Sequence, residues 1–189
     1  MKNLEEKIFD YIGKHLSPKR FEHSYEVARL AAELAAIHGQ NVLKAQTAGL
    51  LHDCAKYKSD KELLKLLKGS KTPYFKEIAQ HAPQLLHGYA AAVIVRKKFN
   101  IKDDSVLNAM ANHTFARPNM SELEKILFVS DFAAYDRKHK SAASLRRLAR
   151  KDLDKAFIEV LKSKIKWVME NSQWLCPITT DVWNFYGAK

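Results

Sequence analysis

Ala48-Gly49-Leu50-Leu51-His52-Asp53-Cys54-Ala55-Lys56 is an apolar run that ends in an imidazole beside a carboxylate. Buried side by side, such groups need hydrogen-bond partners, water or a metal ion. Adjacent side chains on an α-helix point about 100° apart, so the two can serve one ion only near a helix end, or with the Asp reaching toward a second ion. The doublet alone leaves open a satisfied structural pair or a metal site. Partners elsewhere in the chain must decide.

Upstream of the doublet, residues 41–53 read as one helix. Before it, Ser17-Pro18 has the form of an N-cap followed by proline at the first helical position, opening a helix that runs to about His38 and stops at Gly39. Its inward face is Phe21, Val27, Leu30, Ala31 and Leu34, and His23 falls in its first turns behind Lys19 and Arg20. Leu4, Ile8, Tyr11 and Ile12 recur at helical spacing, which predicts a further helix over residues 3–14.

Downstream, Ser59 and Glu62 have capping-box spacing and begin a short amphipathic helix that ends at Gly69. Thr72-Pro73 opens a segment that His81-Ala82-Pro83 breaks. Leu85-Leu86-His87-Gly88 then leads into residues 89–99, which are apolar on most sides and so expected at the centre of the fold, with Gly88 allowing close approach. Asp104 is placed as the cap of a helix that delivers His113-Thr114 near its end. Ser121 and Glu124 cap a strongly apolar helix over residues 123–135, and Asp131 within it, flanked by Phe128, Val129 and Phe132, needs a partner. Helices over residues 141–149 and 152–171 follow, then an aromatic tail, residues 177–186, that packs down. With no alternating strand, repeat or low-complexity linker, the chain reads as an all-α bundle of irregular helices.

The 189 residues, 47% of them hydrophobic, suit a single domain, residues 1–189, with its core at about 17–177. The longest apolar run, residues 90–95, is far too short to cross a bilayer. Cys54 and Cys176 form no CxxC pattern and read as packing residues in a reducing compartment, so a soluble cytoplasmic protein is expected. A net charge of +11 admits nucleic acid, a membrane surface or an anionic small molecule as partner, and charge alone does not choose.

His23, His52, Asp53, His87, His113 and Asp131 each lie in or beside a separate apolar helical segment, the adjacent pair apart. Imidazole and carboxylate donors together suit Fe, Mn, Co, Ni or Zn, and six donors are enough for two ions. His81, close to His87 but beside a proline, is set aside. His15, His38 and His139 lie among polar residues at helix ends and carry no assigned role.

The order His, His-Asp, His, Asp resembles that of the HD-domain metal-dependent phosphohydrolases. More narrowly, Arg20-Phe21-Glu22-His23, Gly49 through Lys56, Leu85-Leu86-His87-Gly88, Asn112-His113-Thr114 with Arg117-Pro118-Asn119-Met120, and Lys125-Ile126 through Asp131 resemble the YqeK family of symmetrical bis(5'-nucleosyl)-tetraphosphatases. The resemblance implies a helical HD fold and cleavage of diadenosine tetraphosphate to two ADP by hydroxide generated at a pair of divalent ions, iron favoured. It also implies that His23, His52, Asp53 and Asp131 hold one ion and His87 and His113 the other, with Asp53 bridging. Asp53, Lys56 and Asp131 would be catalytic. Two such ions clamp both the attacking and the leaving oxygen.

Charge on the non-bridging phosphate oxygens must also be neutralised, and Arg20, Lys56, Arg117 and Arg137 stand next to the ligand motifs. Thr114 either donates a hydrogen bond to phosphate or caps its helix. Asp136 reads as a surface acid ahead of a residue that supports a ligand from behind, and Arg146, Arg147, Arg150 and Lys151 as a solvated basic run. The chain departs from the family at Ala116, where glycine is typical, and at Phe132-Ala133-Ala134-Tyr135, where a Glu-Pro pair is usual. The substrate pocket is therefore where another HD-type nucleotidase or phosphodiesterase activity, or a nucleotide- or RNA-binding module without turnover, enters as the alternative. A nucleotide is the expected partner, ahead of nucleic acid, with no membrane and with a homodimer compatible.

Overall fold

The computed structural model describes residues 3–187, and these form eleven α-helices and one 3-10 turn with no strand among them. In chain order they are α1 (Leu4–His15), α2 (Pro18–Ile37), α3 (Val42–Leu51), α4 (Asp60–Leu67), α5 (Phe75–His81), the 3-10 turn Pro83–Leu86, α6 (His87–Phe99), α7 (Asp104–Asn112), α8 (Glu122–Ala133), α9 (Ala142–Lys151), α10 (Leu153–Glu170) and α11 (Pro177–Tyr186).

Local chemistry sets most of the boundaries. Ser17 accepts from the Arg20 amide with Pro18 at the first helical position, and Asn41 accepts from the Lys44 amide. Reciprocal capping boxes join Asn3 to Glu6, Ser59 to Glu62 and Ser121 to Glu124. At α7 the cap is Asp103, one residue before the expected Asp104, because its Oδ1 reaches both the Ser105 and Val106 amides. α8 stops at Ala133, two residues short of the expected end, where Ala134 turns to an extended conformation.

α8, not α6, is the central helix. Leu123, Ile126, Leu127, Phe128, Val129, Ser130 and Ala133 are all buried, and α8 packs against α2, α3, α7, α9 and α10. α6 lies against α4 and α7 and carries its Arg96, Lys97 and Lys98 into solvent. Its apolar stretch includes three alanines, which serve equally at a centre or a flank.

α2 and α3 pack tightly because Gly49 has no side chain. A Cβ there would stand 2.5 Å from Ala28 Cα and 2.8 Å from its nitrogen, both backbone atoms that cannot step aside. Gly49→Ala is expected to push these helices apart at a cost of about 2 kcal/mol, typical of an overpacked core. Thermal denaturation reads this as a Tm loss of roughly 4–8 °C for a chain of this size. Gly88 performs the same service between α6 and α7, where a Cβ would meet the Met110 and Ala111 carbonyls at 2.9 and 3.0 Å.

Among the described residues no helix is long and apolar enough to cross a membrane.

Candidate metal centre

α3 ends at Leu51, and the chain leaves it in a tight turn held by bonds from Cys54 N to Leu51 O and from Lys56 N to Asp53 O. The turn frees His52 and Asp53 from strict helical spacing: Asp53 lines a cavity of about 460 Å³, and His52, fully buried, stands behind it with Nε2 3.7 Å from Asp53 Oδ1. The first turns of α2 supply His23 to the cavity, the start of α6 His87, the end of α7 His113, and the last turns of α8 Asp131. Helix ends and the turns beside them deliver all six groups.

Asp53 is the hub. Its Oδ1 lies 3.1 Å from His87 Nε2, 3.6 Å from His113 Nε2 and 3.7 Å from His52 Nε2. Asp131 Oδ1 lies 3.0 Å from His23 Nε2 and 3.8 Å from His52 Nε2. Donor atoms of His23, His52 and Asp131 fall within 4.8 Å of one another, as do those of His52, Asp53 and His113.

The imidazole protons are placed by what faces them. His52 Nδ1 donates to Gly49 O at 2.7 Å, His87 Nδ1 to Gln84 O at 2.8 Å and His113 Nδ1 to Met110 O at 2.7 Å. A carbonyl only accepts, so each Nδ1 carries hydrogen, and a ring with its one proton there presents Nε2 as a bare lone pair toward the other ligands. His87 and His113 then point lone pairs at each other across 3.1 Å, and His52 Nε2 is buried without a hydrogen-bond partner. Those are unfavourable contacts that a cation between the groups relieves, and backbone carbonyls behind metal-binding imidazoles are the usual way to fix such tautomers. The residues present fit a divalent metal.

Charge states agree with this. Burial pushes the His52 imidazole down to about 4, and burial likewise lowers His87, so both rings are neutral donors at neutral pH. Burial works to raise the Asp53 carboxyl, but the His52, His113 and His87 rings around it outweigh burial and hold it well below the usual range. Asp131 is held low in the same way, by His23 and His52 against its own burial. At His23 burial opposes the charged ring, yet the Asp131 carboxylate prevails and raises its pKa, so a cation arriving there displaces a proton.

Asp136 is no surface acid. Its Oδ2 accepts from His23 Nδ1 at 2.9 Å, so it orients that ring as the carbonyls orient the others, while its buried Oδ1 has no partner. The cations divide. Arg20 Nη1 meets Asp53 Oδ2 at 3.2 Å, Lys56 Nζ stands 3.8 Å from Asp53 Oδ1, and Arg137 Nη2 donates to Asp131 Oδ1 at 3.0 Å. All three line the cavity, as does Thr114, whose Oγ1 is 3.3 and 3.4 Å from the bare Nε2 atoms of His113 and His87.

Arg117 does not join them. Its guanidinium grips Glu124 through two 2.7 Å bonds and lines a different cleft, beside Asn112 and Asn108. Arg146 donates to the Ala133 and Ala134 carbonyls and Arg150 to Glu33 and Tyr135, so that part of the basic run closes the end of α8. His81, set aside above, stacks on Trp174 and is absent from the cavity.

Lys164, from the middle of α10, lines the cavity and was not singled out by sequence. Its Nζ donates to the His113 and Thr114 carbonyls at 3.2 and 3.3 Å and sits 4.0 Å from the Phe128 ring centroid. Loss of surrounding water pushes its ammonium down to about 8, with Asp131 opposing and Arg137 and Lys56 assisting. In sequence it was one lysine among several on an amphipathic helix.

Comparison with known proteins gives this arrangement its kinship. The HD domain matches residues 20–136, which span every candidate ligand. The symmetrical bis(5'-nucleosyl)-tetraphosphatase of Halalkalibacterium halodurans is 32% identical over 94% of each chain. That of Bacillus subtilis is 29% identical over 95% of this chain and 96% of its own. A crystal structure from Clostridium acetobutylicum, of a predicted HD superfamily hydrolase involved in NAD metabolism, superposes with a TM-score of 0.92 at 34% identity, covering 100% of this chain and 98% of that one. Sharing the domain across its whole ligand set, and the length of its relatives almost end to end, the chain belongs to the HD-domain metal-dependent phosphohydrolases, in the family of the symmetrical bis(5'-nucleosyl)-tetraphosphatases.

Proposed function

We propose that this protein hydrolyses dinucleoside polyphosphates, cleaving diadenosine tetraphosphate symmetrically into two ADP at a centre of two divalent ions. The observation that carries the reading is the set of Nε2 atoms directed at Asp53 and at one another, an arrangement that a cation between the groups relieves. His23, His52, Asp53 and Asp131 would hold one ion and His87 and His113 the other, with Asp53 shared between them. When bound, such ions activate water and neutralise charge on the oxygens of the reacting phosphate. Iron is the pair we favour, although manganese, cobalt, nickel and zinc accept the same donors.

The chain's own residues do the rest. Arg20, Lys56 and Arg137 border the cavity with exposed or half-exposed charged ends, placed to receive the non-bridging oxygens of a polyphosphate. Thr114 can present its hydroxyl to a phosphate oxygen once the lone pairs beside it are engaged. Asp136 keeps the Nδ1 proton of His23 in place. Asp136→Asn is accordingly expected to weaken metal affinity about 10- to 100-fold, the usual cost of losing a carboxylate behind a ligating imidazole, as read by metal titration.

The reaction is tested on protein purified without oxygen, by elemental analysis and then chromatography of the products from diadenosine tetraphosphate. Two metals per chain with ADP as sole product is the expected result. Metal-loaded protein that forms AMP and ATP, or nothing, overturns it.

A further inference from the structure

The metal cavity is lined by carboxylates, imidazoles and cations, so it suits the phosphate part of a nucleotide and offers nothing to a flat apolar base. A second cleft of about 530 Å³ opens directly from it, and the two share Lys56, Thr114, Asp131, Arg137 and Lys164 as common walls. Beyond those groups its lining turns apolar, with Phe132 at the end of α8, Val168 on α10, and Trp174 and Leu175 in the link to α11. Its size falls in the range of small-molecule sites. Cations stand where the two spaces meet and aromatic carbon lies further out. This is the charge profile of a nucleotide, anionic at one end and flat and apolar at the other.

Trp174 is braced for such a role. The His81 ring stacks against the indole at 4.9 Å with only 20° between the planes, while the indole also lines the cleft. The histidine that serves no metal thus fixes the orientation of an aromatic platform. Phe132 also lines the cleft.

We propose that this cleft seats the nucleoside of the substrate half whose phosphates enter the metal cavity, with the base lying against Trp174 and beside Phe132, and Lys164 and Arg137 at the joint between base and phosphates. The inference rests on the nucleotide hydrolase reading above, but binding measurements separate the two. ADP and methyl diphosphate, which carries the diphosphate without the nucleoside, are titrated calorimetrically into metal-loaded protein.

Stacking of a base on an aromatic ring is worth about fivefold to hundredfold in affinity. The wild type should therefore bind ADP at least tenfold (on the order of one such stack) more tightly than methyl diphosphate. Trp174→Ala should remove most of that preference while leaving methyl diphosphate unchanged, and Trp174→Phe should restore it. Phe132→Leu gives an independent reading should Trp174→Ala fail to fold by circular dichroism. Equal affinity of the wild type for both probes, or equal weakening of both in the variants, overturns the proposal. So does a change in oligomeric state without a change in ADP affinity, which would make the cleft a contact between copies of the chain. If the ADP preference behaves as expected but no ADP forms from diadenosine tetraphosphate, the cleft stands and the hydrolase reading falls.

Discussion

Asp53→Asn is expected to reduce turnover by about a thousandfold or more and to lower the metal content below two per chain. The substitution preserves shape, so only charge and donor character change. Asp53 Oδ1 is the one oxygen within 3.7 Å of three bare imidazole nitrogens, and its Oδ2 holds Arg20 at 3.2 Å. An amide supplies a neutral, weaker donor on one side and points an NH₂ group at a cation or at Arg20 on the other. A thousandfold loss corresponds to about 4 kcal/mol of transition-state stabilisation, reasonable for a group proposed to serve both ions. Two measurements check it: kcat with diadenosine tetraphosphate, and metal per chain by elemental analysis. Retention of both ions with kcat within tenfold of the wild type would remove Asp53 from the bridging position. His87→Ala provides the graded comparison, since it touches only one of the two proposed ion positions and should cost a single ion.

How much of this was visible in the sequence depends on whether the cause is local. The capping boxes at Ser59 and Ser121 and the Ser17-Pro18 start were legible because cap and partner lie within four residues of each other. The six candidate ligands were legible in order and spacing; five of them line the cavity and His52 lies buried among them. What sequence could not supply was every relation that spans many residues. Asp136 and His23 are 113 positions apart, and nothing near Asp136 says which ligand it would support. Lys164 reaches the site because α10 crosses α8, which amphipathic periodicity does not encode. The central position went to α6 on hydrophobicity alone, whereas α8 holds it through larger side chains such as Phe128 and Ile126. Arg117 is the converse case. It sits in a motif beside His113, so proximity in sequence pointed it at the substrate, but its partner is Glu124, seven residues on.

That pair carries the largest stability effect expected in the molecule. Glu124 is 1% exposed and its carboxylate is fully engaged. Oε1 accepts from Arg117 Nε at 2.7 Å and Asn112 Nδ2 at 2.9 Å, and Oε2 from Arg117 Nη2 at 2.7 Å and the Ser121 amide at 2.8 Å. One side chain thus closes the capping box of α8, fixes the loop after α7 and satisfies the Asn112 amide beside His113. Glu124→Ala strips all four donors at once. Breaking a buried charge pair costs about 3–5 kcal/mol, and because Arg117 keeps partial access to water the lower end, about 3 kcal/mol, applies. Thermal unfolding should register this as a Tm drop of roughly 6–12 °C. Arg117→Ala leaves the carboxylate buried with two donors instead of four and is expected to lower Tm in the same direction. The alternative role for Arg117, substrate binding, makes the opposite forecast: a raised KM at unchanged Tm. Measuring both quantities on the one variant therefore separates an arginine that holds the α7–α8 corner from an arginine that holds phosphate.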